Sequence, residues 1–245
     1  MSETYEKFAS VYDAIMDDSL YDKWTDFSLR HFPKGKTKLL ELACGTGVQS
    51  LRFAQVGYEV TGLALSTEML DLAHQRAQAA SQTISFIQGN MLDLSQAGTY
   101  DLVTCYSDSI CYMKDEVDVG DVFQQVYNQL NDGGVFIFDV HSTYQTDDIF
   151  PGYSYHENAE DFDMVWDSYT DDTPHLVVHE LTFFIQDADG RFTRYDEVHE
   201  ERTYDILTYD ILLEQAGFKT RKVYADFTDR DPTPTSQRWF FVAEK

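Results

Sequence analysis

Short apolar runs alternate with stretches of helical period through the first 140 residues of the chain. Lys38 to Ala43 carries three leucines in a compact run and predicts a strand. Val48 to Val56 predicts a helix closed by Gly57, and Tyr58 to Leu63 a second strand. Ser66 is placed to cap a helix whose apolar positions Met69, Leu70, Ala73 and Ala77 fall on one side. Ile84 to Gln88 and Tyr100 to Tyr106 read as further strands. Val119, Val122, Phe123, Val126 and Leu130 mark an amphipathic helix. Asn131-Asp132-Gly133-Gly134 breaks it, and Val135 to Val140 is an apolar strand interrupted only by Asp139. This strand–helix rhythm implies a parallel sheet with helices on both faces.

The pattern changes between Ser142 and Tyr204. Val177, His179, Leu181, Phe183 and Ile185 recur at every second position, the period of a strand with one buried face. Asp187 to Gly190 forms a turn, and Phe192 to Thr203 returns. About 60 residues is too long for an unstructured connection. An antiparallel insertion standing over the carboxyl edge of the main sheet is expected. The earlier rhythm then resumes: a helix over Tyr209 to Ala216 stopped by Gly217, a strand over Phe218 to Asp226, and a last strand over Arg238 to Ala243 antiparallel to its partner.

The fold class expected is therefore α/β. A three-layer sandwich surrounds a mostly parallel seven-stranded sheet whose last strand is antiparallel, with an inserted antiparallel β lid. Residues 1–141 and 205–245 form the core with an N-terminal helical cap, and residues 142–204 form the inserted subdomain. Trp24 and Phe27 are expected to pack the N-terminal helices on that lid.

Charge narrows the choice of partners. Asp and Glu number 43 against 18 Lys and Arg, a formal net charge of −25 that repels nucleic acid and anionic membranes. The basic residues are scattered, so no local patch offsets this field. No apolar run approaches the roughly 18 residues of a membrane span, and no signal-peptide core opens the chain. Cys44, Cys105 and Cys111 lack zinc-type spacing and read as reduced, largely buried thiols of a cytoplasmic protein.

The chemistry is concentrated at Leu39-Leu40-Glu41-Leu42-Ala43-Cys44-Gly45-Thr46-Gly47, a strand feeding a glycine turn at the mouth of the sheet. Backbone approaches a ligand most closely where Cβ is absent. A dinucleotide reading of the turn fails, because Ser50 stands where the third glycine belongs and Ala64 where a ribose-binding acid belongs. The motif, together with Gly62 to Leu70, Gln88 to Asp93, Leu130 to Phe136 and Leu212 to Phe218 in that order, resembles class I S-adenosylmethionine-dependent methyltransferases. Tyr5 to Asp13 is similar to the N-terminal cap of small bacterial members, and the insertion to a bacterial subgroup akin to glycine N-methyltransferase in its core.

The resemblance implies S-adenosyl-L-methionine as cofactor and a role for each matching position. Gly45 and Gly47 would admit its methionine portion, Glu41 would orient the loop and Tyr12 would cover it. Leu65 and Met69 would pack on the adenine, with Asn90 near its amine and Met91 beside the ring. Tyr106 and Ser107 would lie near the methyl group. One departure matters most: the family usually has an acid where Ala64 stands, binding both ribose hydroxyls. Losing two charge-assisted hydrogen bonds costs about 1.5–3 kcal/mol each. Weak cofactor affinity, a substitute ligand residue or lost activity are the expectations that follow.

Methyl transfer from a sulfonium needs positioning more than covalent help, and a base only where the acceptor arrives protonated. Asp108, Tyr112 and His141 follow strands four and five and are the candidate acceptor-site residues, with His141 placed as a base. His156, Trp166, His179, His199 and Arg202 could line a cavity of the insertion, although His179 also reads as a satisfied core histidine. His179 and His199 lie on opposite arms of one hairpin, but no ligand spacing supports a metal. Acidic runs such as Glu200-Glu201 read as solvated faces. The expected activity is methylation of a small-molecule acceptor. A noncatalytic cofactor-binding protein and a protein methyltransferase are the alternatives.

Overall fold

Strand alternation sends neighbouring residues to opposite faces of a sheet, and two hydrophobic layers follow directly from it. The computed structural model describes residues 11, 13–187 and 189–245. In chain order the elements are α1 (Asp18–His31), β1 (Lys38–Leu42), α2 (Val48–Gln55), β2 (Glu59–Ala64), α3 (Thr67–Ala79), β3 (Ser85–Gln88) and β4 (Tyr100–Cys105). A 3-10 turn (Ser109–Tyr112), α4 (Glu116–Gln129) and β5 (Leu130–His141) follow. Then come β6 (Ser154–Asn158), β7 (Phe162–Thr170), β8 (Leu176–Gln186), β9 (Phe192–Arg202), α5 (Ile206–Ala216), β10 (Thr220–Ala225) and β11 (Arg238–Glu244).

Seven strands form one sheet in the order β10-β11-β5-β4-β1-β2-β3. β1 pairs in parallel with both β2 and β4, and β11 is antiparallel to β5 and β10. The chain runs outward from β1 through β2 to β3, then crosses back to β4. The order therefore reverses between β1 and β4, and a ligand crevice belongs at the carboxyl ends of those two strands.

Leu40, Leu42, Val103, Phe136 and Phe138 face α4 and α5 and pack with Val122, Phe123, Tyr209 and Leu213. Leu39, Leu102, Ile137 and Phe240 face the other way, onto Trp24 and Phe27 of α1 and Phe53 of α2. Trp24 and Phe27 are thus fully buried against the main sheet and not on the inserted one. The reason is competition for area: the sheet's second face needs a helix over it, and α1 supplies the largest apolar side chains available.

Local signals fix the helix ends. Asp17 caps α1 through Ser19 N, Ser66 caps α3 through Met69 N, and Asp115 caps α4 through Val117 N and Asp118 N. Gly217 ends α5 at φ +108°. That helix begins at Ile206, three residues before the sequence pattern suggested. β5 begins at Leu130 instead of Val135, because Asn131 to Gly134 form an irregularity within the strand and not a break.

The insertion forms a second sheet, β6-β7-β8-β9, antiparallel throughout. Its apolar end (Phe162, Met164, Leu181, Phe183, Ile185) packs on Val11 and on Met69 of α3. Its other end meets the carboxyl end of β5, where Thr203 Oγ1 donates to His141 O at 2.7 Å. No helix among the described residues is long and apolar enough to cross a membrane.

Phe138 is the centre of the aromatic stack that holds β5 in place, with ring centroids 4.8 Å from Phe136 and 4.8 Å from Phe241. Phe138→Ala is expected to cost about 3–5 kcal/mol, read as a lowered urea midpoint at unchanged slope. A loss under about 1 kcal/mol, well below that range, would contradict a rigid centre.

Candidate active site

The turn after β1 bends through left-handed backbone at Ala43 (φ +53°), Gly45 (φ +52°) and Gly47 (φ +74°). A Cβ on Gly47 would lie 2.7 Å from Ala73 Cβ, so only glycine lets α2 start this close to α3. A Cβ on Gly45 would meet nothing within 4 Å, so that side of the turn is open. Gly47 provides no side-chain cap for α2, which leaves the helix's first amides available to an anionic group. Thr46 fastens the turn to the N-terminal segment: its Oγ1 donates to Asp13 Oδ1 at 2.6 Å. Arg76 from α3 donates to Thr46 O and pairs with Asp13.

Beneath the turn, Glu41 is 4% exposed, and Ser50 Oγ donates to its carboxylate. Burial raises its pKa to about 8, with the Ser50 hydrogen bond working in the opposite direction. A buried acid held by one hydroxyl among the described residues fits an incoming cation. The open glycine turn, the uncapped helix and Glu41 together suit the carboxylate and ammonium of the methionyl portion of S-adenosylmethionine.

The adenosine side is less regular. Ala64 ends β2 buried among Cys44, Leu70 and Phe86, and supplies no oxygen. Leu65 is 66% exposed beside it, in keeping with a surface awaiting a ring. Met69, expected on the adenine, is buried against Val11 and the inserted sheet. Asn90 is exposed and already accepts a hydrogen bond from Leu92 N at 3.0 Å, while Met91 is buried in the core with Leu63 and Leu94. Tyr106, expected near the methyl group, instead stacks on Trp24 with ring centroids 6.0 Å apart and bonds Ser28 through its hydroxyl. Tyr12 lies outside the described residues.

Ser107 and Asp108 continue from Tyr106 with φ of +55° and +51°. This costly bend aims Asp108 back across β5. Asp108 Oδ2 lies 3.3 Å from His141 Nε2, and its Oδ1 2.5 Å from an Arg238 guanidinium nitrogen. The same Arg238 nitrogen pairs with Asp139, which also receives Trp24 Nε1 at 3.0 Å. From the inserted sheet, Glu201 Oε2 reaches within 3.2 Å of His141 Nε2. Glu201 is 5% exposed, so it belongs to the interior and not to a solvated face.

The electrostatics follow from these partners. Burial pushes the Asp108 carboxyl up, but Arg238 and His141 outweigh it and hold the group well below the usual range. Burial likewise raises Asp139, and there it outweighs Arg238. For His141 burial favours the neutral ring, yet Asp108 and Glu201 overcome it and lift the pKa to about 9. The ring expected to act as a base is therefore held as an imidazolium at neutral pH. Tyr112 sits apart from this group, 45% exposed, with its hydroxyl 3.3 Å from His199 Nδ1. Of the other insertion candidates, His179 is buried and hydrogen-bonded, while His156 is exposed. Arg202 turns to Pro174 O and the face of Tyr204.

A strand-order reversal, a glycine turn at it and a buried acid below that turn mark the cofactor crevice of a doubly wound α/β protein. A family profile described as "Methyltransferase domain" matches residues 39–134. A Geobacillus sp. (strain WCH70) protein bearing the name "Putative methyltransferase" is 42% identical, covering 99% of this chain and all of that one. A glycine/sarcosine N-methyltransferase of Halorhodospira halochloris is 27% identical over 99% of this chain and 89% of its own length. The crystal structure of an S-adenosylmethionine-dependent methyltransferase from Clostridium acetobutylicum superposes with a TM-score of 0.85 at 27% identity, covering 98% of both chains. The chain belongs to the class I S-adenosylmethionine-dependent methyltransferases.

Glu41 yields a linkage that can be measured. With its pKa near 8 the group is mostly protonated at pH 7, and a cationic ligand beside it favours ionisation. Binding of S-adenosylmethionine at pH 7 is expected to release a proton, seen as a binding enthalpy that differs between phosphate and Tris. Glu41→Gln is expected to abolish that difference. The ligand-free protein, whose raised Glu41 pKa favours the folded state most below pH 4.5, should lose stability by up to about 1.4 kcal/mol per pH unit between 4.5 and 8. The variant should lack that slope. Equal enthalpies in both buffers would refute the assignment.

Proposed function

We propose that this methyltransferase acts on a small molecule held between the carboxyl edge of the main sheet and the inner face of the inserted sheet. The observation that carries the reading is the reach of Glu201 from β9 to His141 at the end of β5, 3.2 Å. The inserted sheet thereby closes over the crevice with buried polar groups facing inward. A folded protein would have to displace that contact, whereas a small acceptor needs only the space beneath it. The Halorhodospira relative, by its name, methylates glycine and sarcosine, and that supports a small acceptor here.

The cofactor supplies an activated methyl group and departs as a neutral thioether, so the chain's task is positioning. Asp108, fixed by Arg238, and His141, fixed by Asp108 and Glu201, present a rigid charged wall whose geometry does not have to form during the reaction. The formal charge of −25 argues against a nucleic-acid acceptor. To test the reading, purified protein and S-adenosyl-[methyl-3H]methionine are incubated with a cell extract, which is then split by a 3 kDa filter. Label is expected in a small-molecule product that separates by chromatography from unreacted S-adenosylmethionine and is absent when the protein is left out. Label retained with protein would favour the protein-methyltransferase alternative.

Ala64 favours a second reading, in which the fold binds cofactor weakly or does not turn over. Ala64→Asp restores a ribose-binding carboxylate at the tip of β2. Its dissociation constant for S-adenosylmethionine is expected to tighten by roughly tenfold or more, the equivalent of about 1.5–3 kcal/mol for one charge-assisted hydrogen bond, measured by calorimetry. An unchanged constant would mean that another residue holds the ribose.

A further inference from the structure

The inner face of the inserted sheet has more buried acceptors than donors. Strand alternation puts Glu197, His199 and Glu201 on one side of β9, and the register sets His199 directly opposite His179 of β8. The Glu197 side chain is 9% exposed; its Oε2 meets His199 Nε2 at 3.0 Å, while its buried Oε1 has no hydrogen-bond partner among the described residues. The Glu201 side chain is 6% exposed, and its Oε2 likewise lacks a directed hydrogen bond, although His141 lies 3.2 Å away. Its Oε1 is 3.8 Å from His179 Nε2, a long contact.

The neighbouring rings cannot make up the shortfall. His179 Nδ1 is engaged by Trp166 Nε1 at 3.1 Å and by Ser168 Oγ at 2.7 Å, and its Nε2, 3.8 Å from Glu201 Oε1, is too distant for a hydrogen bond. His141 divides its single Nε2 proton between Asp108 and Glu201. Buried carboxylate oxygens without donors are costly, and native proteins seldom leave them so. A ligand that completes this wall must donate hydrogen bonds and carry positive charge.

We propose that the acceptor is an amine, recognised as its ammonium form by Glu197 and Glu201. Once one of these carboxylates has taken the ammonium proton, the freed nitrogen lone pair would accept the methyl group as the donor's C–S bond breaks to a neutral thioether. This rests on the small-molecule reading given above and sharpens it. An ammonium group brings several donors and a charge; a hydroxyl brings one donor and no charge, and a carboxylate is repelled. A divalent metal is the competing cation for this wall, since one atom each from Asp108, His141 and Glu201 lies within 4.8 Å of the others. The Arg238 guanidinium, 2.5 Å from Asp108, opposes a second, doubly charged cation at that point. Glu197 lies outside that trio, on the same face of β9, and its open oxygen invites a compact monovalent donor.

The test uses full-length protein saturated with S-adenosylhomocysteine, titrated separately with ethylamine hydrochloride, ethanol, sodium acetate and manganese chloride by ligand-detected NMR. Ethylammonium is expected to bind at least tenfold more tightly than ethanol or acetate. Glu197→Gln and Glu201→Gln should each weaken it at least fivefold, with S-adenosylhomocysteine affinity within twofold of the parent, which also reports that the variants fold. Ethanol or acetate binding as well as ethylammonium would overturn the amine and leave a small-molecule acceptor standing. Manganese binding that excludes ethylammonium and is lost in Glu201→Gln would assign the wall to a metal instead. Failure of every probe would overturn the amine; joined to tritium found only on protein, it would overturn the small-molecule reading too.

Discussion

Arg238 carries a permanent charge into the interior, and the centre of the molecule is arranged around that fact. A guanidinium cannot shed its proton to escape burial, so the surroundings must supply negative charge. Asp139 from the middle of the sheet and Asp108 from the loop after β4 both do so, through one guanidinium nitrogen. Satisfying Arg238 fixes Asp108 in its left-handed bend, and Asp108 in turn holds His141. His141 then offers a charge to Glu201, which draws the inserted sheet onto the edge of β5. Trp24 anchors α1 to the same Asp139. One partly buried cation thus connects α1, the loop after β4, β5, β9 and β11. Such a network contributes little net stability, because desolvation offsets attraction, but losing any one partner strands a charge. Its value lies in fixing the inserted sheet against the end of β5.

Most of the fold was legible in the sequence because it rests on periodicity. Seven strands, their alternation with helices, and the antiparallel insertion all follow from apolar spacing and glycine punctuation. The caps at Ser66 and Gly217 stood where their chemistry demanded. Boundaries slipped where two signals competed: Asn131 to Gly134 have turn composition, yet pairing of Leu130 with Tyr100 carries the strand through them. Trp24 and Phe27 were assigned to the wrong surface because amphipathicity says that a face is buried without saying against what.

The site was legible only in part, for a related reason. Asp108 sits just beyond β4 and His141 at the very end of β5, where loops over a parallel sheet converge, and that rule placed them together. Glu201 looked like one more acid in an acidic chain. The signal that separates it from Glu200 is parity with His179 and His199, which shows only once the register of β8 and β9 is known. Asp139 gave a visible hint as the lone acid in an apolar strand. Arg238, one residue before an aromatic run, gave none, since its partners are 99 and 130 residues away in the chain. The role of His141 could not be read either: a histidine beside a carboxylate is a base or a fixed cation according to how many carboxylates meet it, and the second one comes from the insertion.

Two departures in the cofactor crevice bear on each other. At the ribose side the chain has replaced a charged ligand by Ala64, buried among Cys44, Leu70 and Phe86. At the methionyl side it keeps Glu41, which the same burial that excludes water has driven toward its neutral form. At Glu41 preformed charge contributes little, because that acid is mostly uncharged before the ligand arrives. Attraction to a cationic group there requires ionising Glu41 on binding, so cofactor capture is expected to strengthen as pH approaches 8 and the proton becomes easier to lose. An acid at position 64 would supply affinity without that dependence. If the cofactor's ammonium meets Glu41, an alanine at position 64 would leave affinity more dependent on that one acid.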